Sequence, residues 1–298
     1  MTDVYVYGMT VLSTIHLLKG RYPTADTYQE IQETYIMPGG EGANAAVVLS
    51  NLGMSTMLDG CYLGQETAVP LLTYLQQKQV DCSLLTEKDD FIGWKDIVLC
   101  DGASRTVFGW FNAFFGDERE LWAQPNETAI QQARCVALDP FFGAESARVS
   151  GLCRKHSTDY VTIDCKWDDP IAQYSRALVV SKEFIEREYP KDNIEDLFAQ
   201  YRKSCAGFVI FTFGSREILY GESGMKRPLS FKPYTVDVVD TLAAGDTFRA
   251  GVVYGILQNM SATETVRFAA ATAAIACTRF PSIHQPPELA EILELINT

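Results

Sequence analysis

Asp240-Thr241-Leu242-Ala243-Ala244-Gly245-Asp246-Thr247-Phe248 places two small residues and a glycine directly before an acid. The apolar spacing from Thr247 to Leu257 predicts a helix that packs one face inward. A helix start carries unpaired backbone N–H groups and the positive end of the peptide dipoles, so it holds anions such as phosphate. Small residues let a phosphoryl group approach the backbone closely. A carboxylate beside such a nest can take a proton from an attacking hydroxyl. Taken by itself, the segment reads more simply as a capped helix with an acid in its first turn.

Pro38-Gly39-Gly40-Glu41-Gly42-Ala43-Asn44-Ala45-Ala46 opens a second helix, for which Gly53 supplies a C-terminal stop. The two segments together resemble the paired signatures of the ribokinase, or phosphofructokinase-B, family of small-molecule kinases. The first signature is a Gly-Gly pair followed four residues later by Asn, here Gly39, Gly40 and Asn44. The second is Asp-Thr-x-Gly-Ala-Gly-Asp, matched by Asp240, Thr241, Ala244, Gly245 and Asp246. Ala103-Ser104-Arg105-Thr106-Val107 and Val179-Val180-Ser181-Lys182-Glu183 look like their counterparts in ketohexokinase-like members.

The resemblance implies an ATP- and Mg2+-dependent kinase acting on a hydroxymethyl group of a sugar or related polyol, with room for a monovalent cation such as K+. It puts Asp246 in the place of the general base, with Ala243, Ala244 and Gly245 holding the phosphoryl charge through their N–H groups. Arg105 would reach the phosphate from a lid hairpin. Ser13, Gly40, Glu41 and Asn44 fall at substrate positions, and Glu41 reads equally as pointing to substrate or to solvent. Ser181, Thr212, Gly214, Thr241 and Gly245 fall at nucleotide positions. No metal ligand is assigned.

Four departures from the family pattern stand out. Ser13 occupies the place of an Asp five residues after Gly8, Ala243 that of a glycine, Glu217 that of a glycine in the nucleotide loop, and Phe184 that of a magnesium-linked Glu. Ser13, Ala243 and Phe184 favour a second class of reading, a non-catalytic homologue that binds sugar or nucleotide; the intact Asp246, Asn44 and Arg105 oppose it. A third reading is a nucleoside kinase of the same family, with Phe108, Trp110 or Phe111 stacking on a base. No Gly-x4-Gly-Lys-Ser/Thr loop and no Gly-x-Gly-x-x-Gly after the first strand supports a P-loop kinase or a dinucleotide-dependent dehydrogenase.

The remaining sequence fits a cytoplasmic enzyme. A net charge of −13 over 298 residues argues against nucleic acid or an anionic membrane as partner. No signal segment is expected before the strand-like Val4–Tyr7, and no apolar run is long enough to span a bilayer. The eight cysteines are scattered with no Cys-x-x-Cys pair, as expected of core thiols in a reducing compartment.

Strand-like runs at Val4–Tyr7, Met57–Leu63, Val136–Leu138, Tyr160–Ile163, Ala177–Val180, Phe208–Phe213 and Tyr234–Val239 alternate with helical patterns such as Val69–Gln79, Ile194–Ser204 and Ser261–Cys277. This predicts a single α/β domain over 1–298, three-layered, with a mostly parallel central sheet and helices on both faces. Ile92–Cys100 and Ser104–Asn112 lack an intervening helix and read as a hairpin around Asp101-Gly102-Ala103. With Ile31–Met37 they predict a small β lid, contributed by about 14–37 and 91–113. Phe108, Trp110 and Phe111 give it an apolar surface suited to a homodimer contact.

Overall fold

The computed structural model describes residues 2–102, 104–117, 119–225 and 227–298, so Ala103 of the expected hairpin turn lies outside the described residues. Side-chain alternation in β1 (Val4–Gly8) feeds two cores at once: Val4 and Val6 pack into one layer, Tyr5 and Tyr7 into the other. A strand apolar on both faces belongs in the middle of a covered sheet.

The chain leaves β1 through β2 (Val11–Leu18) and β3 (Ile31–Gly39), then enters α1 (Glu41–Asn51), which Gly53 ends at a φ of 83°. β4 (Thr56–Gly60) and α2 (Ala68–Gln77) follow, then β5 (Lys95–Cys100), β6 (Arg105–Gly109) and the short α3 (Phe111–Phe115). Next come α4 (Glu127–Gln132), β7 (Cys135–Leu138), α5 (Ala144–His156), β8 (Asp159–Ile163), α6 (Pro170–Gln173) and β9 (Ala177–Ser181). The last third holds α7 (Lys182–Glu188), α8 (Ile194–Ser204), β10 (Phe208–Thr212), β11 (Ile218–Gly221), β12 (Leu229–Phe231), α9 (Ala244–Leu257), α10 (Ala262–Ala276) and α11 (Leu289–Asn297).

Eight strands form the main sheet in the order β12-β11-β10-β9-β8-β7-β1-β4. Pairing is parallel from β4 through β10 and antiparallel only at the β11 and β12 edge. Helices α1, α9 and α10 cover one face, and α4, α5, α7 and α8 the other. Local chemistry fixes several helix starts: Asn126 caps α4, and Ser261 with Glu264 makes a full capping box on α10.

A separate four-stranded sheet runs β3-β2-β5-β6. β2 begins at Val11, ahead of the expected limit of this sheet. Its two faces differ. Ser13, Ile15, Met37, Asp96, Val98 and Val107 line a pocket on the inner face. On the outer face, register sets Ile36, Thr14, Ile97 and Phe108 in one row across the strands.

Two expected strands are corrected. Tyr234–Val239 forms no ladder; β12 takes the sheet edge, Pro233 breaks away from it, and Val238 and Val239 are exposed. The hairpin strand Ser104–Asn112 stops at Gly109. Phe111 turns into α3 because Trp94 collects Phe111, Phe114 and Phe115 around its ring, so Phe111 is not part of the hairpin surface.

Close packing of α9 on α10 rests on Gly251, where an added Cβ would lie 2.6 Å from the Ala269 Cα. Gly251→Ala should therefore destabilise the fold by about 1–3 kcal/mol of overpacking, although alanine is the better helix former by about 1 kcal/mol. Chemical denaturation measures this, and a variant more stable than the parent would show that the helices are free to separate.

Candidate active site

Parallel strands all point their carboxyl ends to one edge of the main sheet, and open α/β sheets bind ligands there. Asp139 follows β7 at that edge, and Arg249 lies one turn into α9. Both are fully buried and form an ion pair. Asp139 Oδ2 also accepts the Met9 N–H at 2.7 Å, and Arg249 Nη2 donates to the Glu41 carbonyl at 2.5 Å. One ionic pair thus ties the ends of β1 and β7 to the starts of α1 and α9. Sequence reading missed Arg249; the available signal was a lone cation three residues after Asp246 in an otherwise apolar helix.

Asp246 sits in the first turn of α9 and accepts a 2.7 Å hydrogen bond from Asn44 Nδ2 in the first turn of α1. The two motifs, 202 residues apart, meet at this contact. Burial raises the Asp246 carboxyl above its ordinary range, while Arg249 and the Asn44 hydrogen bond hold it down. The result is a carboxylate more basic than usual, at the positive end of a helix.

Ala243 caps α9 at a φ of 59°, the left-handed region that favours glycine. The family's glycine is therefore replaced without loss of the turn, at a strain of about 1–2 kcal/mol. Asp240 shapes the approach, accepting from the Leu242 and Ser282 N–H groups. Thr241 Oγ1 accepts a 2.8 Å hydrogen bond from Arg105 Nη1, so the small sheet reaches the nest.

The pocket between the two sheets is lined by Ser13, Met37, Gly40, Asn44, Asp96, Val98, Val107, Leu242, Ala243 and Ile283, among others. Ser13 packs against Gly39, where any Cβ would collide with its hydroxyl. Asp96, directly across the ladder from Ser13, hydrogen-bonds to it; sequence reading passed over this acid. Phe108, Trp110 and Phe111, read as base-stacking candidates, are not among the lining residues.

Ser181 and Thr212 are register partners at the ends of β9 and β10, and Gly214 turns the following loop at a φ of 64°. Ser181 caps α7 through the Phe184 N–H and donates to Asp164, a carboxylate that burial raises above its ordinary range. These residues form the far half of the strand-end edge, away from the pocket between the sheets. Among the described residues no cluster of three His, Cys, Asp or Glu side chains is built to hold a metal.

Glu41 does not line the pocket. Burial and the neighbouring Asp246 and Asp139 push its carboxyl up to about 8. Between its ordinary 4.5 and that value the folded chain keeps a proton that the unfolded chain releases, so stability falls as pH rises through this window. Glu41→Gln should melt with the parent at pH 4 and about 2–4 °C or more above it at pH 8. Thermal melts across the range check this, and a pH-independent difference would contradict it.

The chain matches the pfkB family of carbohydrate kinases over residues 1–289. It is 24% identical to a ribokinase of Haemophilus influenzae, over 97% of this chain and 98% of that one. The fold is shared with an Arabidopsis thaliana ribokinase complexed with ribose and ATP, at a TM-score of 0.83, 19% identity and full coverage of both chains. It is shared too with a ribokinase II of E. coli in complex with ATP and Mg2+, at a TM-score of 0.80 and 15% identity, covering all of this chain and 99% of that one. Paired motifs, strand-end site and whole-length similarity agree: the chain belongs to the pfkB family of carbohydrate kinases.

Proposed function

We propose that the protein transfers the γ-phosphoryl group of ATP to a hydroxymethyl group of an unphosphorylated sugar or polyol, with Asp246 as general base. The observation that carries this reading is Asp246 itself, held by Asn44 at the positive start of α9 and raised in basicity by burial. The acceptor would lie in the pocket between the sheets. Asp246 takes its hydroxyl proton as the oxygen bonds to the γ-phosphorus and the bond to the ADP oxygen breaks. N–H groups of Ala243, Ala244 and Gly245 would hold the phosphoryl oxygens, with Arg105 closing from the small sheet, which then acts as a lid.

ATP would run along the strand ends past Thr241 toward Ser181, Thr212 and Gly214. Mg2+ would arrive with the phosphates, since this ion keeps several waters and is commonly held through substrate oxygens. K+ is the monovalent cation to test in the same assay. Among the described residues the pocket lining contains no Lys, Arg or His, which supports an acceptor without a phosphate of its own. The base-stacking reading loses its support, because the lid aromatics lie elsewhere.

Asp246→Asn should keep fold and nucleotide binding and lose about two to four orders of magnitude in turnover. ADP release against a panel of ketoses, aldoses, amino sugars, sugar phosphates and nucleosides measures this. Turnover within threefold of the parent would remove Asp246 from the base role. A panel without any acceptor would favour the non-catalytic reading.

The outer lid row supports a homodimer through the lid. Ile36 is 60% and Phe108 48% exposed, and they share a row with Ile97. Light scattering at micromolar concentration should give a dimer mass, and Phe108→Lys should shift it to monomer. A monomeric parent would count against the contact.

A further inference from the structure

The pocket holds two buried acceptor oxygens that the protein leaves unpaired. One is Asn44 Oδ1, whose amide nitrogen is spent on Asp246. The other is Asp96 Oδ1. Asp96 and Asn44 are 9% and 6% exposed, and both line the pocket. An unpaired buried acceptor is costly, and a carboxylate more so than an amide. Among the described residues no lysine, arginine or histidine lines the pocket to compensate it.

Strand geometry explains how Asp96 comes to be there. Along β5 the side chains alternate, and Asp96 and Val98 are buried while Ile97 is exposed. Parallel pairing sets Asp96 directly beside Ser13 of β2. The family resemblance implies a carboxylate at the place of Ser13; in this fold the wall carries its carboxylate at Asp96, one strand over. A Ser13→Asp replacement would consequently crowd two carboxylates together rather than restore an ordinary site.

We propose that Asp96 is the specificity-determining residue of the acceptor pocket, and that it selects a sugar or polyol bearing an amino group that meets Asp96. This rests on the acceptor-pocket reading above. An ammonium supplies both the donor that Oδ1 lacks and the positive charge that the pocket lacks, whereas a hydroxyl supplies only the donor. Burial without a cation raises the Asp96 carboxyl to about 6, so the group is still largely ionised at neutral pH and available to such a partner.

Isothermal titration tests this independently of turnover. The ligands are two matched pairs: 1-amino-1-deoxy-D-fructose with D-fructose, and D-glucosamine with D-glucose. The parent should bind the amino member of at least one pair about tenfold or more tightly, and Asp96→Asn should abolish the difference. Asp96→Ser serves the same comparison if the asparagine variant fails to fold. Equal binding within both pairs, preference for the neutral sugars, a preference that survives loss of the carboxylate, or no binding of any of the four would each overturn the assignment. ADP release is followed in parallel. Amino-sugar binding that depends on Asp96 but yields no ADP would defeat the phosphoryl-transfer reading and leave the role of Asp96 standing.

Discussion

The ion pair between Arg249 and Asp139 is the constraint on which the site depends. Neither residue is exposed to solvent, and neither is among the residues that line the pocket between the sheets. Removing one partner of such a pair leaves an uncompensated buried charge, typically at about 3–5 kcal/mol. Its value is geometric as well. Through the Met9 N–H and the Glu41 carbonyl it joins two strand ends to two helix starts. Asp246 on α9 and the Asn44 amide on α1 can meet only if those helix starts are held in fixed relation.

The same pair sets the electrostatics around it. Glu41, Asp139 and Asp246 crowd one cation, and burial together with the neighbouring acids pushes the Glu41 carboxyl up to about 8. Asp246 keeps help from both Arg249 and Asn44. A cluster that looks heavily acidic in sequence thus carries a proton on Glu41 at neutral pH.

What could be read from sequence was what is local. The nest, its acid, the Gly-Gly-Asn segment and the parallel alternation depend on neighbours along the chain. Asp96 and Arg249 escaped because their meaning depends on pairing. Asp96 looks like one polar residue in a strand until β5 is laid beside β2, and Arg249 looks like a surface charge until β7 brings Asp139 beneath it. The failed strand at Tyr234–Val239 has the complementary cause. Its composition suits a ladder, but Pro233 separates it from β12, the edge strand. Ala243 was flagged as a departure, yet only the backbone reveals that it adopts the turn that glycine usually provides.

Between β3 and α1 there is a single residue, Gly40, at a φ of 86°. The last strand of the small sheet before the helix and α1 itself are therefore parts of one nearly rigid rod with no slack. One residue inserted at this joint would turn α1 by ~100° about its axis and carry Asn44 away from Asp246. Extra residues in the exposed stretch between β2 and β3 would instead lengthen a loop and leave the joint untouched. Change in chain length is thus tolerable at the outer rim of the small sheet and intolerable at its root, so small sheets of quite different size can be carried on the same Asn44–Asp246 frame.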